Sequence, residues 1–249
     1  MTVSAALASG ELTLVGRLRS ASNATFRATV DGMQVVYKPV AGERPLWDFP
    51  DGTLAARELA SYVVSEALGW GVVPATVLRD GPHGPGMVQV WQEPDRATSA
   101  VDLVPQGRIP DGFRHVLDAV DNHDRPVSLV HEDSASMRRM AIFDLLVNNA
   151  DRKGGHVLAM ADGHRFGIDH GVTFHVEAKL RTVLWGWAGE PLQPDEVAAV
   201  SALDAAAAVT DFLAPAEVDA FERRRTTLLA DPRFPVPSGE WPAIPWPAF

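Results

Sequence analysis

Two short stretches concentrate the groups that could move a phosphoryl group. One runs Phe143-Asp-Leu-Leu-Val-Asn-Asn-Ala-Asp-Arg-Lys-Gly-Gly-His156, the other Phe166-Gly-Ile-Asp-His-Gly171. Asp151, Arg152, Lys153 and His156 follow the end of an apolar run, and Asp169 sits in the middle of the second stretch. Phosphoryl transfer needs an acidic group to orient or deprotonate the attacking hydroxyl. It also needs a second carboxylate, with an amide or imidazole, to hold a metal on the triphosphate. The two stretches carry both carboxylates and the imidazole. A plainer account stands beside this one: Asp151 after Asn148-Asn149 ends a helix through local hydrogen bonds, Asp169 before Gly171 makes a turn, and His156 is a half-buried histidine satisfied by backbone. The spacing from Asp151 to His156 and on to Asp169 favours chemistry.

The elements that must position these groups follow from periodicity. Residues 11–19, 25–30 and 33–37 alternate apolar and polar, with Asp31-Gly32 as a hairpin turn between the last two, so three antiparallel strands are expected. Lys38 then lies at a strand end, where a lone lysine is ordinarily a solvated edge charge. Residues 39–50, rich in Pro, Gly and aromatics, read as an ordered loop. Asp51 is a candidate N-cap for a helix that carries Glu58 and buries Leu59, Tyr62, Val63 and Ala67, ending at Gly69 and Gly71. Strands are expected over 72–78 and 87–91, joined by a turn at 81–86. Beyond residue 94 the pattern turns helical: 112–120, 134–148, 195–209 and 215–229, with strand-like pieces at 156–160 and 165–168. The expected class is α+β, with a small antiparallel β-rich lobe over residues 1–93 and a mostly helical lobe over 94–249. The tail from Asp231 reads as an extended segment laid over an apolar surface.

Asp151-Arg-Lys-Gly-Gly-His156 resembles the D-R-H-x-x-N catalytic loop of phosphatidylinositol 3- and 4-kinases and the D-x-H-x-x-N loop of HipA-type kinases. Ile168-Asp-His-Gly171 resembles their metal-binding D-x-G element. Tyr37-Lys-Pro39 and Pro45-Leu-Trp-Asp-Phe-Pro-Asp-Gly52 are similar to hallmarks of an actinobacterial phosphatidylinositol-kinase-like family. The resemblance implies a two-lobed protein-kinase-like fold, ATP, and Mg2+ or Mn2+. It implies that Asp151 is the catalytic base, that Asp169 and His156 hold the metal, and that Lys38, paired with Glu58, contacts the phosphates. Ser22 and Asn23 would belong to the turn covering the phosphates, and Gln89, Val90 and Trp91 to the strand that offers backbone groups to adenine. Arg152 and Lys153 are either solvated charges or neutralise the γ-phosphate. Lys153 stands where the motif has His, and His156 where it has Asn. Imidazole ligates Mn2+ more readily than Mg2+.

Composition narrows the partners. The 249 residues are 46% apolar and 22% charged, an ordinary globular balance. The net charge of -10, with no basic stripe, argues against nucleic acid. No cysteine means no disulfide, thiolate nucleophile or thiolate-bound metal. Neither a secretory leader nor a bilayer-spanning run is legible, so no stable membrane insertion and a cytoplasmic location are expected. The expected activity is transfer of phosphate from the nucleotide to a hydroxyl of an unknown protein or small-molecule acceptor. A multiply phosphorylated lipid headgroup is disfavoured, because only Lys179 and Arg181 follow Asp169 as fixed positive charges. Two alternatives remain at this level: a nucleotide-binding regulatory pseudokinase, and a nucleotidyl transferase.

Overall fold

The computed structural model describes residues 2–18, 23–50, 52–239 and 241–249. In chain order the elements are α1 (Val3–Ser9), β1 (Leu12–Arg17), β2 (Phe26–Val30), β3 (Met33–Pro39), α2 (Leu54–Ala67), β4 (Thr76–Gly81), β5 (Gly84–Val90), β6 (Val101–Pro105), β7 (Phe113–Val120), β8 (Pro126–Glu132), α3 (Ala135–Val147), β9 (Val157–Ala159), β10 (Arg165–Gly167), α4 (Pro194–Ala202), α5 (Ala205–Val209) and α6 (Pro215–Ala230). Single 3-10 turns lie at Val40–Gly42, Gly154–His156 and Trp185–Trp187.

Asp31 and Gly32 both take positive φ, 48° and 83°, as a two-residue hairpin between β2 and β3 requires. The first sheet runs β1-β2-β3-β5-β4, antiparallel at every joint. Strand alternation gives it two different faces. One packs Ala28, Val30, Val35, Tyr37 and Val88 with Leu7 of α1 into a small core. The other carries Lys38, paired in register with Met87, and is covered by α2. Gly86 lies against the Lys38 end of β3: a Cβ there would sit 2.5 Å from the Lys38 carbonyl oxygen. The expected boundary at residues 93 and 94 falls between β5 and β6.

The buried side of α2 differs from the expected one. Leu59, Tyr62 and Val63 are only half-buried and Ala67 is exposed, while Arg57, Glu58, Ser61 and Ser65 are buried beside Ala60 and Val64. Apolar periodicity misplaced the face because α2 turns a polar side inward: Arg57 pairs with Glu217 and Ser61 meets Thr173 Oγ1 at 3.3 Å. Asp51, the expected cap, lies outside the described residues. The Glu43 carboxylate instead accepts the Leu54 and Ala55 N–H groups at 3.1 and 2.9 Å, satisfying donors that every helix start leaves open.

The second part is helical, as expected, but it opens with an unexpected sheet. Residues 112–120 form β7 rather than a helix, and with β6 and β8 they make an antiparallel sheet of order β6-β8-β7. A register shift between His115 and Leu117 explains the misreading. The bulge breaks the period of two, so Val116 and Leu117 both pack on the core and leave apolar spacing that imitates a helix. Residues 195–209 divide into α4 and α5, because the Asp204 carboxylate accepts the Ala207 N–H at 3.1 Å and starts a new helix. Helix α3 is buried on most sides, with Met137, Met140, Phe143 and Val147 packed against Phe174, Trp187 and Phe221. The segment 241–249 lies along the second lobe: the Ala243 carbonyl accepts Thr182 N–H and Trp185 Nε1–H, and Ala248 O accepts Gly154 N–H.

Candidate active site

At the end of β3 the Lys38 ammonium donates to Glu58 Oε1 at 2.6 Å and to Asp169 Oδ1 at 2.8 Å. Glu58 is almost fully buried, and its other oxygen accepts the His170 N–H at 2.9 Å. Strand β3, helix α2 and the loop after β10 therefore converge on one ion cluster. Burial alone would lower the Lys38 pKa, but the charges of Asp169 and Glu58 outweigh it and hold the amine above its ordinary value. The same ammonium holds the Asp169 carboxyl well below the usual range. Lys38 is thus a fixed cation facing an anionic Asp169.

The loop bearing Asp151 is built on a charge inside α3. Asp144 is completely buried, a costly position unless it is paired. It accepts from Arg152 Nε and a terminal nitrogen (3.0 and 2.8 Å), from Asn149 Nδ2 at 3.0 Å and from Thr182 Oγ1 at 3.3 Å. The Arg152 guanidinium also reaches the His156 and Ile168 carbonyls (3.3 and 3.2 Å) and donates to His170 Nε2 at 2.7 Å. Arg152 therefore does not enter the cleft as a catalytic or phosphate-neutralising group. It is fully buried and ties the Asp151 loop to the Asp169 loop. Gly167 leaves room for it, since a Cβ there would lie 2.9 Å from the guanidinium.

Asp151 follows directly. Asn149 Oδ1 accepts the Asp151 N–H at 3.0 Å, and the Asp151 carboxylate lies 3.4 Å from Lys153 Nζ. Burial raises the Asp151 carboxyl above its ordinary value, opposed by Lys153 and His156. His156 places Nδ1 2.9 Å from the Asp151 carbonyl and turns Nε2 to within 3.5 Å of Asp169 Oδ2. Nδ1–H is then the donor and Nε2 keeps its lone pair, the arrangement of a metal-ligating histidine. Burial lowers the His156 pKa and favours the neutral ring. Asp169 takes a left-handed φ of 63°, which aspartate tolerates better than most residues, and so divides its oxygens between Lys38 and His156.

Among the described residues no group of three or more His, Asp or Glu side chains encloses a metal by itself. Asp169 Oδ2 and His156 Nε2 are close enough to share one cation. Nucleotide-bound divalent cations take one or two protein ligands and complete their shell with phosphate oxygens and water, and one carboxylate with one imidazole fits such a site, better for Mn2+ than for Mg2+.

Lys38, Asn23, Arg44, Glu58, Asp151 and Asp169 line one cavity of about 330 Å³ between the lobes. Ser22 lies outside the described residues. Gln89, Val90 and Trp91 do not line that cavity. Gln89 is buried and donates to Thr76 Oγ1 at 2.9 Å, while the Val90 and Trp91 N–H groups donate to Ala75 and Gln34 carbonyls, each at 2.9 Å. The sheet thus takes two of the backbone groups expected to face adenine, the Val90 and Trp91 N–H groups.

Loop 39–50 crosses from β3 to the segment after Asp169. Asp48 accepts from Lys179 Nζ at 2.7 Å, the same ammonium lies 4.7 Å from the Trp47 ring, and Phe49 meets His175 edge-on at 5.3 Å. Sequence reasoning missed Asn148, which ends α3 with φ 54° and anchors that segment through Lys179 N–H at 2.9 Å and the His175 and Glu177 carbonyls. It also missed Asp144. A charge within the apolar run Phe143-Asp-Leu-Leu-Val147 was the available signal, since such a group needs a buried partner.

An antiparallel sheet lobe, a helical lobe and a cleft between them define a kinase-like fold. No family model matches the chain. A structure of hydra Fam20 with sugar aligns over 92% of this chain and 86% of its own, with a TM-score of 0.57 at 14% identity, a likeness of fold. The Helicobacter pylori proinflammatory kinase CtkA aligns over 90% and 93% at a TM-score of 0.48 and 10% identity. Protein Rv2133c of Mycobacterium tuberculosis is 52% identical over 264 residues, spanning 98% of this chain and 95% of that protein. The chain belongs to the same family as Rv2133c. No helix among the described residues is long and apolar enough to cross a membrane.

Proposed function

We propose that the chain is an ATP- and divalent-metal-dependent phosphotransferase, of the type of the phosphatidylinositol kinases and HipA kinases, acting on a hydroxyl of a protein or small metabolite. The observation that carries this is the Lys38 ammonium held between Glu58 and Asp169 in the same cavity as Asp151. It is supported by the kinase-like fold and by the resemblance of Asp151-Arg-Lys-Gly-Gly-His156 and Ile168-Asp-His-Gly171 to kinase loops.

In this scheme Lys38 binds phosphate oxygens, and Asp169 with His156 holds the metal, which when bound offsets charge on the β- and γ-phosphates. Asp151 orients the acceptor hydroxyl and takes its proton as the new O–P bond forms and the bond from the γ-phosphorus to the bridging oxygen breaks. ADP leaves with that oxygen. A carboxyl whose pKa is raised by burial is a stronger base than a solvated one. Asn149 and Arg152 act through Asp151 and the loop backbone by holding them in place.

The test is incubation with γ-labelled or α-labelled ATP, Mg2+ or Mn2+, and cell extract, comparing wild type with Asp151→Ala and Asp169→Ala. Transfer of γ-label by wild type and its loss in both variants is expected. Transfer that persists in either variant removes that residue from its role, and transfer of α-label instead supports a nucleotidyl transferase. A second reading, a nucleotide-binding regulatory protein without turnover, is favoured by the contact of Lys153 with Asp151. It would give thermal stabilisation by ATP and metal with no ATP consumed.

A further inference from the structure

Of the cations around the cleft, Lys38, Lys153 and Lys179 each face a carboxylate. Arg44 does not. It is exposed, it lines the cavity that holds Lys38, Asp151 and Asp169, and among the described residues its guanidinium has no ion-pair, hydrogen-bond or ring partner. We propose that Arg44 binds a phosphate group brought into the cleft beside Lys38 and Asp169.

Three observations separate this arginine from an ordinary solvated surface charge. First, its backbone is anchored. The Arg44 N–H donates to Asn23 Oδ1 at 2.9 Å, the preceding Glu43 carboxylate is clamped on the first N–H groups of α2, and the Gly42 carbonyl accepts Ala24 N–H at 3.0 Å. The side chain therefore springs from a fixed point on the rim. Second, the start of α2, which would otherwise attract an anion, is already occupied by Glu43, so among the described residues of this rim the free positive group is Arg44. Third, the cavity wall is short of positive charge. Glu43, Glu58, Asp151 and Asp169 line it with Lys38 alone among the other lining residues as a cation, and a polyphosphate entering there adds further negative charge. A guanidinium presents two parallel N–H donors in a rigid plane to two oxygens of one phosphate, a fork an ammonium does not have.

The phosphate could belong to the nucleotide or to a phosphorylated acceptor, and the inference rests on the cleft being the nucleotide site proposed above. Calorimetric titrations of wild type, Arg44→Ala and Arg44→Lys with ATP and Mg2+, and with inorganic tripolyphosphate, supply one arm. Titration of inorganic phosphate into protein saturated with a non-hydrolysable ATP analogue supplies the other. Arg44→Ala should weaken ATP and tripolyphosphate at least tenfold, Arg44→Lys should recover part of the loss, and the thermal midpoint without ligand should stay within a degree. A loss confined to inorganic phosphate keeps the assignment and moves the source to the acceptor. Equal affinities, within twofold, for every probe in wild type and Arg44→Ala overturn it. If wild type binds no ATP, the nucleotide reading fails, and tripolyphosphate alone decides for Arg44: no binding, or binding unchanged in Arg44→Ala, ends the inference.

Discussion

Lys38 and Asp169 meet at 2.8 Å although 131 residues separate them in the chain, and the ammonium that joins them is also held by a carboxylate of very different exposure. Glu58 is 2% exposed, whereas the Asp169 side chain is 52% exposed. The two acids therefore depend on Lys38 unequally. A buried charge stripped of its partner costs about 3–5 kcal/mol, and a half-exposed one about 1 kcal/mol or less. Lys38→Met should accordingly lower the urea unfolding free energy by about 3 kcal/mol and Asp169→Asn by less than about 1 kcal/mol. Adding Glu58→Gln to Lys38→Met should restore part of the loss. Equal destabilisation by Lys38→Met and Asp169→Asn would contradict the unequal burial.

Asp151 separates stability from activity. Because burial raises its carboxyl pKa, the charged form is held at some cost to folding, and Asp151→Asn should leave Tm unchanged or slightly higher. Loss of a positioned base removes roughly 10²–10⁴-fold in rate, so γ-phosphoryl transfer should fall by about that factor. Calorimetry and a transfer assay on one preparation check both halves. A variant that is less stable and still active would reverse the assignment.

The parts of this molecule legible in sequence were those with local causes. The β2–β3 hairpin followed from alternation and Asp31-Gly32, and Asp151, His156 and Asp169 were singled out from type and spacing. What was hidden depended on distant partners. The inward face of α2 is polar because Thr173 and Glu217, more than a hundred residues downstream, meet Ser61 and Arg57. Residues 112–120 were misread because the bulge between His115 and Leu117 exists only against β8. Arg152 adjoins Asp151 in sequence yet points away from the cleft, a direction set by Asp144 on α3 and by the space at Gly167. Spacing identifies which loops meet, and only packing decides which way each side chain turns.

Arg152 offers a sharp contrast with its neighbour Lys153. The guanidinium pairs with a completely buried Asp144 and closes two loop carbonyls, so Arg152→Ala leaves an unpaired interior charge. It should destabilise by about 3–5 kcal/mol and lose activity through disorder of both loops. Lys153→Ala, at a half-buried side chain, should shift stability by less than about 1 kcal/mol. Circular dichroism melts of the two variants decide the matter. An Arg152→Ala protein with wild-type Tm and abolished transfer would return Arg152 to the reaction.

His131 sets how stability responds to acid. Its ring is completely buried, with Nδ1 2.9 Å from the Glu132 carbonyl, Nε2 accepting the Gly186 N–H at 3.0 Å, and the Trp187 ring at 4.3 Å. One nitrogen donates and the other accepts, so both are satisfied only when the ring is neutral. Burial accordingly lowers its pKa to about 4, helped by the charge of Arg114 and opposed by the Glu132 carbonyl. The unfolded chain titrates near 6.5, so between pH 6.5 and 4 it takes up a proton that the folded protein refuses. The stabilisation is complete above about 6.5 and drains away as the pH falls toward 4, by roughly 3 kcal/mol at most for this group. Urea midpoints at pH 7.5, 6 and 5 should therefore fall steadily in wild type. They should fall less steeply in His131→Gln, which has no proton to gain at that position although it is less stable at pH 7.5. Parallel slopes in the two proteins would mean that the acid sensitivity comes from other groups, with His170, whose pKa is also lowered by burial, the next to replace.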